Sequence, residues 1–299
     1  METMNESNYF IKASYKPNST IETIETEYRK YWTIHRISQS YYSQYYVYKF
    51  CRKLVKEEKL KSVLDIGCGT GIKLMKLIYP VCDEVYGIDQ QGIIQYCRKM
   101  YGLETFLADD IENPTLSLKK KFDLIICSDV IEHILNPDNL LSYIRKFCHN
   151  NTYIVISTPE RDILRGRECD FSPKKTHIRE WNIKEFRHYL ESRKFNILCH
   201  KLIKSFKILI TLNNSVSNLK KDFITQLYKF SRFRSLKLLK HSQLVLLKTN
   251  HSKALSWEIS DFPKSIVFIE KLANHFIIGL HYFLFKVYTS LKKIHYKKI

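Results

Sequence analysis

Along the middle of the chain, short continuous apolar runs alternate with stretches in which apolar residues recur at helical spacing. The runs SVLDIG, EVYGID, TFLADDI, KFDLIICSDV and TYIVIST read as five strands. Between them IKLMKLIYP, GIIQYCRKMYG (closed by Gly102) and the stretch from Pro137 to Cys148 read as helices. NIKEFRHYLESRKF gives a further helix with Asn182 as its N-cap, and FNILCHKLI and SQLVLLKTN give strands six and seven. Strands that are apolar throughout are covered on both faces. Their alternation with helices predicts an α/β fold of Rossmann-like type, a seven-stranded, mostly parallel sheet with helices on both sides.

The flanks follow other patterns. Residues 1–20 are polar and are expected to be loosely ordered, and residues 21–60 read as helical. The tyrosines of YYSQYYVYKF within that helix are expected to pack on the sheet rather than roof a pocket. A basic insertion runs over about 211–240, and a long apolar-basic helix runs from about Pro263 to Lys293. The expected organisation is a helical lid segment over 1–60, a catalytic α/β domain over 61–250 and a helical extension over 251–299.

Charge changes the picture at one end only. The chain of 299 residues carries a net charge of +19. From Lys201 onward there are 19 Lys/Arg against 4 Asp/Glu, a surplus of 15 that leaves +4 for the first 200 residues. Such an extension suits an anionic membrane surface, docking on its own domain or a homodimer. Nucleic acid is disfavoured because no recognition module is present. The eight cysteines form no CxxC pair and several lie in apolar runs, which points to reduced thiols in a cytoplasmic protein, peripheral at the inner membrane face if the extension meets lipid. The N-terminus METMNESNYF lacks the apolar core of a signal peptide.

Candidate chemistry begins at VLDIGCGTG. Gly67, Gly69 and Gly71 form a turn between a strand and a helix, where the backbone approaches a ligand with no Cβ in the way. Asp65 precedes the turn, Asp89 ends the second strand, Asp110 follows the third and Asp129 follows the fourth. Ligands of open α/β sheets bind beyond these strand ends, where strand order reverses. Four acids there point to a binding cleft.

The run from Val63 to Thr158 resembles the class I S-adenosylmethionine-dependent methyltransferases, through VLDIGCGTG, VYGID, ADDI and FDLIICSDVIEHI. The resemblance implies a last strand that runs antiparallel. It implies S-adenosylmethionine as cofactor, with Gly67, Gly69 and Gly71 along its methionine part and Asp89 on the ribose. Asp110 would meet the adenine with Ala108 and Asp109 beside it, and Ser128 and Asp129 would flank the reactive end. ISTPERDILRG and THIREW resemble a subgroup found with glycan and surface-polysaccharide biosynthesis, although RECDFSPKKTH replaces the Gly/Pro-rich bridge expected between them.

Methyl transfer to a hydroxyl needs a base, and His133 and His177 are the candidates. Asp129, Glu132 and His133 match the spacing of a metal set in quinone-biosynthesis O-methyltransferases. The preferred reading has no metal, with Glu132 and His133 fixing the loop or covering the cofactor. Arg161, Arg165, Arg167 and Arg179 offer forks for a polar acceptor and Trp181 offers a stacking face, or Glu160, Asp162 and Glu180 pair with the arginines internally. The expected function is O-methylation of a small-molecule, sugar or glycan-linked acceptor. The alternatives are a membrane-associated quinone-type O-methyltransferase and a non-catalytic binding subunit.

Overall fold

The computed structural model describes residues 4–5, 8–20, 32–205 and 239–249. Nearly all of the basic insertion and the whole extension after residue 250 lie outside these residues, as do the expectations of membrane contact or dimerisation attached to them. No helix among the described residues is long and apolar enough to cross a membrane.

Nine strands are described: β1 (Met4–Asn5), β2 (Ile11–Lys12), β3 (Ser62–Ile66), β4 (Glu84–Asp89), β5 (Phe106–Ala108), β6 (Phe122–Ser128), β7 (Cys148–Pro159), β8 (Asn196–Ser205) and β9 (Leu239–Lys248). The last seven form one sheet in the order β5-β4-β3-β6-β7-β9-β8. β9 pairs antiparallel with both neighbours, while β3 to β7 run parallel. This is the expected seven-stranded, mostly parallel architecture, with the antiparallel strand inserted next to the edge. The order reverses between β3 and β6, so their carboxyl ends open onto the crevice where such sheets bind ligands.

The apolar strands face two cores in strict alternation. Leu64, Ile125, Ile154, Val245 and Leu247 face one core, covered by α3 (Pro137–Lys146) and α5 (Ile183–Ser192), with the short α4 (Arg161–Arg165) between them in the chain. Val63, Leu124, Tyr153, Leu244 and Leu246 face the other, covered by α1 (Ile34–Glu57) and α2 (Gln91–Tyr101). Tyr41, Tyr45 and Tyr48 of α1 are buried, and Tyr48 joins the core against the sheet. Local signals set several ends. Gly102 closes α2 in the left-handed region at φ 66°, and Asn182 with Glu185 forms a reciprocal cap on α5.

Three expectations need correction. TFLADDI yields only the short β5, because the Asp109 carboxylate accepts from the N–H groups of Asp110, Thr115 and Leu116 and turns the chain. The helix after the glycine turn is a π-helical segment (Leu74–Ile78) running into a 3₁₀ turn (Tyr79–Val81) that contains Pro80. The segment from Asn8 to Asn18 is not loose. It straps across the segment that joins β7 to α5, with Lys12 N–H donating to Glu185 Oε1 (2.9 Å) and the Trp181 indole N–H donating to the Tyr9 carbonyl (3.0 Å). Asn18 Nδ2 donates to the carbonyls of Ser172 and His177, and Glu180 N–H donates to the Tyr15 hydroxyl (3.1 Å).

Candidate active site

The glycine turn is built as its sequence requires. Gly67, Gly69 and Gly71 hold φ of 76°, 57° and 68°, in the left-handed region that disfavours any side chain. A Cβ on Gly67 would come within 2.3 Å of Val130, and one on Gly69 within 2.9 Å of Trp32. Asp89 ties the turn to β4: its carboxylate accepts from Gly69 N–H (2.7 Å) and Gln90 N–H (2.8 Å). Burial raises its carboxyl above the ordinary range, against the pull of those two N–H groups and of Lys73.

Asp65 is fully buried near the end of β3. The Tyr48 hydroxyl donates to its Oδ2 (2.8 Å), while its Oδ1 is buried with no hydrogen-bond partner. Burial pushes the carboxyl up to about 7, with Lys73 and Tyr48 opposing. A carboxyl raised on folding binds its proton in the native state while the unfolded chain has lost it. Its effect on stability is therefore a loss as pH climbs from about 4. The Asp65 contribution to the unfolding free energy of the ligand-free chain is expected to fall between about pH 4 and pH 7, and Asp65→Asn to remove that contribution from the slope. Denaturant titrations across this range check it, and an unchanged slope in the variant removes Asp65 as the source.

The acids after β5 divide their work. Asp109 is buried and spent internally on the Tyr143 hydroxyl and the Thr115–Leu116 backbone. Asp110 is exposed, and its carboxylate accepts from Glu112 N–H and Asn113 Nδ2 within its own turn. Beyond β6, the Ser128 hydroxyl meets Ser157 Oγ (2.8 Å), which donates to Asp129 Oδ1 (2.8 Å). Asp129 holds φ 53°, so its strained backbone ends the strand at the crevice.

A second cluster lies on the loops after β6 and β7. One ligand atom each from Glu132, His133 and His177 falls within 4.8 Å of the other two. The Glu132 carbonyl accepts from Ile178 N–H (2.7 Å), which welds the two loops together, and Thr158 Oγ1 donates to Glu132 Oε2 (3.0 Å). The set weighed in the sequence as the metal alternative, Asp129, Glu132 and His133, shares two residues with this cluster. His177 stands in the place given to Asp129, whose carboxylate accepts from Ser157. Burial, reinforced by Asp129, raises the Glu132 carboxyl well above the ordinary range. Burial and the neighbouring His177 hold His133 well below the usual imidazole value.

His177 is set by Glu180. Burial lowers its imidazole and the Glu180 contact only partly restores it, so the ring is neutral near pH 7. Its Nδ1–H donates to Glu180 Oε1, which leaves the lone pair on Nε2. Burial raises the Glu180 carboxyl, and the bonds from His177 and Arg165 overcome this and bring it down to about 2. Ser172 Oγ also donates to Oε1 (2.8 Å). Glu180 entered the sequence reading only as a partner for arginines.

The residues expected to grip the acceptor do other work. Trp181 is fully buried and stacks on Tyr189, with centroids 5.8 Å apart, so it offers no face to a substrate. Arg161 is 1% exposed and grips Glu185 through two bonds (2.7 and 3.0 Å) and Asp162 at 2.9 Å. Arg165 forms a two-bond pair with Glu180, both at 3.1 Å. Gln44 and Lys73, buried beside the crevice, were not singled out by the sequence.

A family model described as a methyltransferase domain matches residues 40–200, more than half of the chain. The ubiquinone biosynthesis O-methyltransferase of Proteus mirabilis is 28% identical over 130 residues, covering 39% of this chain and 53% of the relative. The enzyme of the same name from Glaesserella parasuis is 30% identical over 145 residues, covering 42% and 59%. The chain thus spans little more than half the length of these curated relatives. Among solved structures, the complex between the Haloferax volcanii Trm112 methyltransferase activator and a methyltransferase matches with a TM-score of 0.52 at 12% identity, covering 77% of this chain and all of that one. That likeness bears on the fold alone. With the strand order, the glycine turn and the match over residues 40–200 together, the chain belongs to the methyltransferase-domain family.

Proposed function

We propose that the chain is an S-adenosylmethionine-dependent O-methyltransferase whose acceptor is an aromatic hydroxyl of the quinone-precursor kind. The observation that carries this reading is that the glycine turn follows β3 while Glu132 and His133 follow β6 and His177 follows β7, all beyond the carboxyl ends of parallel strands near the point where their order reverses. The residues fit the cofactor. Asp65 Oδ1 is a buried acceptor without a partner, and the turn between Gly67 and Gly71 leaves no room for side chains. The ubiquinone biosynthesis O-methyltransferases among its relatives support the aromatic acceptor over the sugar or glycan-linked one. The arginines and tryptophan that favoured a sugar are engaged internally.

Bound there, S-adenosylmethionine would supply a methyl group on a positively charged sulfur for transfer to an acceptor oxygen. The chain's own part is alignment and removal of the hydroxyl proton. His177 Nε2 takes that proton, since Nδ1–H is held by Glu180, and the Glu180 charge steadies the imidazolium that forms. Asp89 keeps the turn rigid, and Asp110 would hold the adenine.

Glu132, His133 and His177 also fit a divalent cation, since two imidazole nitrogens and a carboxylate suit such ions. Held there, it would lower the pKa of the acceptor hydroxyl. Bound to such an ion through Nε2, His177 could not take the proton, so loss of turnover of a catechol-type acceptor on dialysis against EDTA, restored by a divalent ion, would replace His177 as the base with the metal. Undiminished turnover after EDTA leaves His177 as the base without a metal. Calorimetric titration with S-adenosylhomocysteine tests the reading as a whole. Absence of binding sinks it, and binding without turnover of any hydroxyl acceptor returns the non-catalytic alternative.

A further inference from the structure

The segment RECDFSPKKTH, which stands where a Gly/Pro-rich bridge is expected, ends against the Glu132, His133 and His177 cluster. Residues 174–177 make one tight turn, closed by His177 N–H donating to the Lys174 carbonyl (2.8 Å). The turn delivers the His177 ring to a centroid distance of 4.7 Å from the His133 ring. Its backbone is held on both sides. Asn18 Nδ2 of the strap donates to the carbonyls of Ser172 (3.1 Å), Lys174 (3.3 Å) and His177 (2.9 Å), and Lys174 N–H donates to Ser172 Oγ (3.2 Å).

Lys174 is thus anchored through its backbone while its side chain is exposed. Among the described residues its ammonium makes no hydrogen bond and no ion pair. Its charge nevertheless acts on Glu132, His133 and His177 alike. Arg36, in the first turn of α1, adds a second positive charge that acts on His133 from a different element. The carboxylates close by are engaged elsewhere. Glu180 receives His177, Arg165 and Ser172, and Asp129 accepts from Ser157. A neutral acceptor would leave the Lys174 ammonium to water, and a cationic one would meet Lys174 and Arg36 as like charges. An acceptor with a carboxylate or phosphate near its hydroxyl would take a charge-assisted hydrogen bond from an ammonium whose backbone is already placed.

We infer that Lys174 is a specificity residue that binds an anionic substituent, a carboxylate or a phosphate, carried by the acceptor on the ring that bears the methylated hydroxyl. The inference rests on the proposed O-methylation beside His177 and adds the charge of the acceptor, which that reading leaves open. It also gives the strap a task at the site, since Asn18 fixes the turn from which the ammonium projects.

The test compares steady-state methylation of protocatechuate (a catechol carboxylate), the matching phosphonate and the matching neutral amide by the full chain, with magnesium present throughout. The wild type is expected to favour at least one of the two anions over the amide roughly 5- to 50-fold in kcat/KM, chiefly through KM. The better anion identifies the substituent. Lys174→Gln should abolish that preference, and Lys174→Arg should keep most of it, since either cation meets an oxyanion. A merely structural role would lower all three acceptors together and leave their ratios intact. If the wild type methylates the amide as well as both anions, or if Lys174→Gln keeps the wild-type ratios, the assignment is overturned and the proposed function stands. If S-adenosylhomocysteine binds and none of the three acceptors is methylated, the aromatic-hydroxyl reading fails and the assignment with it.

Discussion

Arg161→Ala is expected to destabilise the chain by about 3–5 kcal/mol, the cost of stripping the partner from a buried carboxylate. The guanidinium is 1% exposed and its two N–H arms engage both oxygens of Glu185, itself 2% exposed. Glu185 does more than pair. It completes the cap of α5 by accepting from Asn182 N–H, and it receives the Lys12 N–H of the N-terminal strap. Alanine would leave that carboxylate charged and unmatched at the junction of three segments. For a chain of this size the cost corresponds to a melting temperature lower by roughly 6–20 °C. Arg161→Lys should recover only part of it, because a point charge cannot span both oxygens. Thermal and denaturant unfolding read the effect. Wild-type stability in Arg161→Ala would show that the pair contributes nothing and reopen the case for an arginine aimed at the acceptor.

His177→Gln is expected to lower turnover by about 10²–10⁴-fold, the range for loss of a positioned general base. Binding of S-adenosylhomocysteine should stay within about threefold, since His177 lies across the crevice from the glycine turn. Glu180→Gln should reproduce much of the loss. The neutral amide no longer compels Nδ1 to carry the proton, and it cannot steady the imidazolium. Single-turnover rates and calorimetry on the two variants separate chemistry from binding. Unaltered turnover in His177→Gln would remove this histidine from the reaction, whatever the fate of the metal.

The cleft was legible in the sequence because its elements are local. The glycine spacing and the cap at Asn182 depend on residues a few positions apart, and the acid closing β4 on a turn 20 residues back within the same βαβ unit, and all appear where their local chemistry puts them. The acceptor side was not, because its geometry is set by partners far along the chain. Nothing near Trp181 announces that Tyr9 will take its indole N–H, and nothing near Arg161 announces Glu185. A charged loop placed correctly after β7 still has two directions in which to turn its side chains. Here Arg161 and Arg165 turn inward. The same gap hid Lys73: a lysine two residues after a glycine turn reads as surface until α1 is seen to cover it.

The N-terminal strap has a consequence for how the molecule comes together. Its contacts, Lys12 with Glu185, Tyr15 with Glu180 and Asn18 with the His177 carbonyl, each close a loop of more than 150 residues. Bringing such distant segments together is entropically costly and slow compared with the hairpins and βα units that form locally. The cofactor half, from β3 to β6, can therefore organise early. The loop that carries His177 and Glu180 gains its final shape only when residues 8–18 return to it. On the proposed function, the part that would hold the methyl donor and the part that would use it take shape at different moments of folding.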